Sequence, residues 1–247
     1  MTNEKLYEVI GNINESYVAD ARTLKNPRKA TWTKWGAIAA CLALALLTVP
    51  MVNNQEKIKL TDASSGVTVK YTKGTPAFYS SGKLVTLSEE ELFAKDTAIF
   101  KGTIISIDNI VLDFNGIEQY KAIAKITVED VYRGNAQINK TISVLLPGPI
   151  DEDKKMEDTE TTSAMSEGMT GIFMPIAYDE TSVWQISDST LALNDIADYG
   201  FSDGSRYAFL ETSEGIIFDK SAYPSIANVT TLDEVEEYIL KMIESTE

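Results

Sequence analysis

The sequence predicts an α+β fold class, and three observations carry that prediction. Between Ala98 and Leu146, apolar residues alternate in runs broken by Asn115-Gly116 and Gly134, the pattern of paired strands. Ser88–Glu91 and Thr231–Glu234 are capping boxes that open helices on either side of the β-rich stretch. Trp35–Val52 holds eighteen residues without one charge, which as a helix of about 27 Å would cross a bilayer core. The expected architecture is a cytoplasmic helical segment (1–34), a transmembrane helix (35–52), a tether with a short strand (53–88) and an extracellular α+β domain (89–247). That domain is expected to be a β-rich Greek-key barrel with a C-terminal helix.

Residues 3–24 have helical spacing. Leu6, Ile10, Ile13, Tyr17 and Ala21 recur every three or four positions and share one face. Gly11-Asn12 interrupts the pattern, and Asn14 is placed to cap a second helix beginning at Glu15, so the segment reads as one kinked helix or two short ones. A segment this short builds no core of its own. Leu6, Ile10, Ile13 and Tyr17 are therefore the candidate partner-binding residues. Glu4, Glu8, Glu15 and Asp20 on the polar side disfavour an anionic membrane surface.

Trp35–Val52 is apolar all round, unlike an amphipathic helix of a soluble core. Thirty-four residues precede it and no good small-x-small site follows it, which argues against a cleaved signal peptide. Ile38-Ala39-Ala40-Cys41 has the outline of a lipobox, but most of the apolar run follows Cys41 instead of preceding it. Arg22, Lys25, Arg28, Lys29 and Lys34 lie just before the run. Basic residues near a membrane end stay in the cytoplasm. The expected location is thus the plasma membrane, single-pass, with the N-terminus inside and the C-terminal domain outside. Trp32 and Trp35 sit where an inner aromatic belt would lie.

KLYEVIGNINESYVADA, a basic stretch and then WTKWGAIAACLALAL together resemble the N-terminal region of Firmicute, especially clostridial, single-pass membrane proteins. In that group a helical LYE-x-I-x-x-I segment precedes a KWxAIAACLAL-type anchor, and some members are similar to anti-sigma factors. The resemblance covers about 50 residues. It implies a sigma factor as the partner of Leu6, Ile10, Ile13 and Tyr17. The H-x-x-x-C-x-x-C motif of the zinc-binding anti-sigma subgroup is missing here, so the arrangement implied is zinc-free.

Beyond the anchor, Gly66–Tyr71 alternates like a short strand, and Lys73–Pro76 and Ser80–Lys83 read as turns. Acids Glu89–Glu91 fit the first turn of a helix through Phe93. Ala98–Ile107 reads as a strand bent at Gly102. Ile110–Phe114 and Gln119–Val131 follow, joined by Asn115-Gly116, a hairpin signal. Ile142–Leu146 continues the series. This run resembles the small OB-like barrels of Firmicute surface proteins. No aromatic series suited to stacking on sugars or bases accompanies it.

Pro147–Glu167 reads as a polar loop and a candidate recognition element. Its acids Asp151, Glu152, Asp153, Glu157, Asp158 and Glu160 lack the spacing of a calcium-binding EF-hand loop. Gly171–Tyr178, Ser182–Ile186 and Arg206–Leu210 read as further strands. Asp195, Asp198 and Asp203 are weak candidates for oxygen ligation and equally ordinary turn residues. Leu232, Val235, Ile239, Met242 and Ile243 then form a helical stripe expected to dock on the β core.

Composition excludes several functions. Residues 1–34 carry six basic and four acidic groups, and residues 53–247 carry sixteen and thirty-three, a net of −17. Such an exterior disfavours nucleic acid and anionic lipid as partners. With no histidine in 247 residues, Ser-His-Asp and Cys-His catalysis and His-ligated zinc are excluded. No pair of carboxylates suggests a hydrolase. The functional expectation is a non-enzymatic single-pass protein without cofactor or metal. It is read as anti-sigma-factor-like with an extracellular sensor domain, or alternatively as an anchored binding or scaffold domain without a signalling role.

Overall fold

The computed structural model describes residues 56–73, 84–150 and 159–246. The anchor Trp35–Val52 and the candidate partner-binding residues Leu6, Ile10, Ile13 and Tyr17 lie outside the described residues. So do the expected turns at 74–83 and the acids at 151–158. Among the described residues no helix is long and apolar enough to cross a membrane.

The sheet is organised on one long hairpin. Strand β3 (Ile99–Phe114) turns at Asn115-Gly116 into β4 (Ile117–Arg133) and pairs with it antiparallel from Ile99↔Arg133 to Phe114↔Ile117. Asn115 and Gly116 take φ of 57° and 98°, the left-handed values that a twist-matched two-residue turn needs. Asp113 steadies the turn by accepting the Gly116 N–H at 2.6 Å. Register shifts at Ile99/Phe100, Lys101/Gly102 and Ile104/Ser106 mark bulges near the far end. Bulges bend a strand and increase its twist, so β3 is read as two strands in sequence and folds as one curved strand.

The two halves of β3 acquire different neighbours on the side away from β4. Its first half pairs with β6 (Thr170–Phe173), and its second half pairs with β2 (Val67–Tyr71), which in turn pairs with β1 (Lys57–Ile58). Residues 56–73 thus add strands to the sheet. On the other side β4 pairs with β5 (Thr141–Leu146), β5 runs parallel to β10 (Tyr199–Gly200), and β10 pairs with β7 (Ile176–Ala177). Beyond β6 come β11 (Ala208–Thr212) and β12 (Gly215–Ile217). The order β12-β11-β6-β3-β4-β5-β10-β7 forms a curled half-barrel sheet. With its C-terminal helix the domain is α+β and rich in β-structure.

Two cores lie against this sheet. The larger holds Ile99, Phe100, Ile126, Val128, Phe173 and Phe209. Two helices close it: α1 (Glu89–Phe93), and, following α2 (Glu160–Ser163), the C-terminal α3 (Leu232–Thr246). The expected stripe is the buried one: Leu232, Val235, Ile239 and Ile243 join the core, with Met242 packed beside them. Both expected capping boxes form. Ser88 and Glu91 exchange bonds at the head of α1; Thr231 Oγ1 accepts the Glu234 N–H at 3.3 Å, and Glu234 accepts the Thr231 N–H at 3.0 Å. Glu89 ties the helices together by accepting the Ser225 N–H at 2.8 Å and the Tyr238 hydroxyl at 2.7 Å.

The smaller core holds Val69, Ile110, Leu112, Phe114, Ile123 and Leu145 from the sheet, roofed by Leu191, Ile196 and Ala197. Its roof is a separate hairpin, β8 (Val183–Ile186) with β9 (Ser189–Ala192). Of this hairpin only β8 is legible in the sequence, because the turn Ser187-Asp188 lacks glycine although Ser187 takes φ 52°.

One expectation is corrected. The stretch 159–165 reads as part of a polar loop, yet Thr161, Thr162 and Met165 are buried and α2 forms there. Its hydroxyls are satisfied internally: Thr161 donates to the Ser205 carbonyl at 2.7 Å, and Ser205 donates to Glu160 at 2.7 Å. Polar residues are buried here because each finds a partner.

Candidate functional site

Two clefts among the described residues differ in how their polar groups are used. The larger, of about 410 Å³, is bordered by Leu84, Glu160, Ser205, Phe218, Asp219 and Ser221, among others. Four of its polar groups bind one another: Ser205 donates to Glu160, and Ser221 donates to Asp219 at 2.6 Å. Its lysine, Lys220, lies over the Phe218 ring, 5.9 Å from the centroid.

The smaller cleft, of about 300 Å³, is different. It lies at the edge of the smaller core, where the β8–β9 hairpin meets the sheet. Leu145, Leu146, Pro147, Tyr178, Val183, Trp184, Leu193, Phe201 and Ser202 line it together with Lys121, its one charged residue. Strand periodicity explains the placement. Lys121 stands two residues before Ile123 on β4 and opposite Ile110 on β3, so it shares the face of the smaller core. It falls at the end of that face, where the sheet stops being covered.

Lys121 is held closely. Its ammonium donates to the Pro147 carbonyl oxygen and lies 5.3 Å from the centroid of the Trp184 ring. Among the described residues no carboxylate stands within ion-pair distance of it. Burial lowers its pKa below the ordinary lysine value of 10.5. Trp184 packs on Phe114, with ring centroids 5.2 Å apart. Tyr178 lies beside Gly200, whose missing side chain leaves room for the phenol ring. Burial pushes the Tyr178 hydroxyl up to about 12.

The cleft wall is fixed by a polar anchor. Asp198 accepts the Ser143 N–H at 2.7 Å and the Ser143 hydroxyl at 2.6 Å, and its own N–H donates to the Ser143 carbonyl at 3.1 Å. This locks β10 parallel to β5, and Phe201 follows through its N–H bond to Leu145 at 3.1 Å. The hairpin roof is pinned by Asp195, which accepts the Ser64 hydroxyl at 2.6 Å and the Thr61 N–H at 3.0 Å.

Asp195, Asp198 and Asp203 are therefore not brought together. Asp203 belongs to a third network, paired with Arg206 at 2.9 Å and bound to the Ser205 and Arg206 N–H groups. Among the described residues no group of three or more acidic, cysteine or histidine side chains is placed to hold a metal ion. Lys121, Tyr178, Trp184 and Phe201 come from four separated segments, and no local motif marks them. Alternation along β4 in fact hides Lys121: Gln119, Lys121, Lys125 and Thr127 alternate with Tyr120, Ala122, Ala124 and Ile126 and read as a solvent-facing set, broken only by Ile123.

No known protein family and no curated protein matches the chain.

Proposed function

We propose that this is a single-pass plasma-membrane protein whose described domain lies outside the cell and binds a small ligand in the Lys121 cleft. The observation that carries the binding reading is the cleft itself: one partly buried cation among aromatic and aliphatic walls, with no acid among the described residues to pair with. Concave apolar sites with one or two placed polar groups are what ligand recognition uses. The lining's hydroxyl and amine, Ser202 and Lys121, are not joined by a hydrogen bond, and the role proposed is binding. Trp35–Val52 and its basic flank support the anchor and the orientation.

The cytoplasmic stripe Leu6, Ile10, Ile13 and Tyr17 is proposed to hold a sigma factor, as the resemblance implies, which makes the protein a zinc-free anti-sigma-like sensor. The finer assignment of the half-barrel as a Greek-key, OB-like variant belongs to the same proposal; the long curled hairpin supports it. The alternative is an anchored binding domain whose inner tail has no signalling role.

One experiment separates these. Full-length protein is purified from host membranes after protease treatment of intact cells. Removal of the C-terminal domain by the external protease, with a sigma factor retained by the wild type and lost in Ile10→Asp, is the expected result. A protected C-terminal domain overturns the topology. Exposure without any retained sigma factor leaves the alternative.

A further inference from the structure

We infer that the Lys121 cleft selects a small monocarboxylate carried on a flat apolar body. The inference rests on the reading of this cleft as a ligand site and adds its chemistry.

The charge comes first. An ammonium has three N–H donors. Lys121 gives one to Pro147, which leaves two, and no carboxylate of the described chain is placed to take them. A partly buried cation without a counter-ion is costly, and an entering anion relieves that cost. The domain supplies no long-range attraction for anions, since residues 53–247 carry a net −17. Preference for an anion in this cleft must therefore come from Lys121 at short range.

The donor count sets the kind of anion. Besides Lys121, the lining side chains offer the Ser202 hydroxyl and the phenol of Tyr178, and no arginine. A phosphate or sulfate brings more acceptor lone pairs than these four donors satisfy, whereas the roughly four lone-pair sites of one carboxylate match them.

The walls set the body. Tyr178, Trp184, Phe201, Leu145 and Leu146 make an apolar slot of about 300 Å³, the lower end of the range for small-molecule sites. The Trp184 ring is already packed on Phe114 and beneath Lys121, so it serves as a wall and not as a stacking platform for a sugar. A planar ring bearing one carboxylate fills the slot and reaches Lys121.

The test uses the full-length protein in nanodiscs, with Trp32→Phe and Trp35→Phe so that Trp184 alone reports by fluorescence. The probes are benzoate, its neutral isostere benzamide, and acetate. Benzoate is expected to bind at about 1 mM, as suits a fragment of its size. Benzamide and acetate should each bind at least about tenfold more weakly, a difference of roughly 1.4 kcal/mol. Lys121→Gln should erase the preference for benzoate over benzamide while Lys121→Arg keeps most of it. The comparison of benzoate with benzamide in otherwise unaltered protein needs no change at Lys121, so misfolding of those variants cannot decide the result. Equal binding of benzoate and benzamide overturns the carboxylate inference and leaves the cleft a ligand site. No response from Trp184 to any probe overturns the ligand site itself, and the inference with it.

Discussion

Lys121 and Trp184 form a cation–π pair at 5.3 Å, drawn from strands that belong to different sheets. The pair holds the β8–β9 hairpin against the main sheet at the point where the smaller core ends. Trp184 also shields the ammonium from water, since it is packed on Phe114 behind it. Trp184→Ala should therefore do two things. It should destabilise the domain by roughly 2 kcal/mol, less than a fully buried Trp→Ala because the ring is only half-buried. It should also raise the Lys121 pKa back toward 10.5 as water regains access. Titration of the lysine side-chain NMR signals checks the second effect. An unchanged Lys121 titration would show that the rest of the cleft, and not Trp184, desolvates it.

Gly200 and Tyr178 are fitted to each other. A Cβ at Gly200 would overlap the Tyr178 hydroxyl and ring. Gly200→Ala should cost about 1–3 kcal/mol, the usual range for overpacking, and should push Tyr178 out of the cleft wall. Tyr178→Leu in the same chain should restore part of that loss. Denaturant titration of the four chains in the double-mutant cycle measures the coupling. Additive losses would mean that Tyr178 moves aside without cost.

Glu89 links α1 to the segment before α3 and to α3 itself through Ser225 and Tyr238. Burial pushes its pKa up, but the bonds from Ser225 and Tyr238 outweigh burial and leave it below the ordinary 4.5. A carboxylate with a depressed folded pKa stabilises the fold above its unfolded pKa, and that contribution is lost as pH falls through the folded value. Asp195 has the same sign below 3.8, with burial opposed by the bonds from Ser64 and Thr61. Glu89→Gln should cost about 1–3 kcal/mol at neutral pH, because one acceptor becomes an amide donor facing another donor. It should also make stability less steep in pH below 4.5. A variant that retains the wild-type acid slope would assign that slope to other carboxylates.

How much of this was legible in the sequence follows from how local each feature is. Ser88, Thr231 and Asn115-Gly116 act within four residues of themselves, and all three form as read. The α3 stripe needs only a helical period and a core to meet, and Leu232, Val235 and Ile239 are buried as expected. Ser187-Asp188 makes a turn without glycine, so β9 stays hidden. The burial of Thr161 depends on Ser205, forty-four residues away. The cleft is the extreme case. Lys121, Tyr178, Trp184 and Phe201 meet because Asp198 locks β10 beside β5 and Asp195 pins the β8–β9 hairpin, and no spacing in one dimension records those contacts.

The same burial predicts alkaline behaviour with a defined sign. Burial raises Tyr178 from 10.0 to about 12. Tyr223 and Tyr238 are raised in the same direction, Tyr223 by burial first and then by neighbouring Tyr207, and Tyr238 by burial first and then by its bond to Glu89. For each, the folded state keeps a proton that the unfolded chain gives up near pH 10. The unfolded state then binds fewer protons, so stability falls as pH rises. The contribution is complete below pH 10 and is progressively lost toward the folded values, which for Tyr178 means a window from 10 to about 12. Lys121 acts the other way: its depressed folded pKa makes stability rise with pH up to 10.5. Tyr71, Tyr120, Tyr132 and Tyr199 are raised as well, so denaturant unfolding across this window should show a net loss, seven tyrosines against one lysine. Tyr178→Phe should make the loss shallower by at most about 1.4 kcal/mol per pH unit. Lys121→Gln should make the onset earlier, because it removes the one opposing group. An unchanged slope in Tyr178→Phe would mean that the phenol reaches water in the folded protein, and that the cleft is more open than its walls indicate.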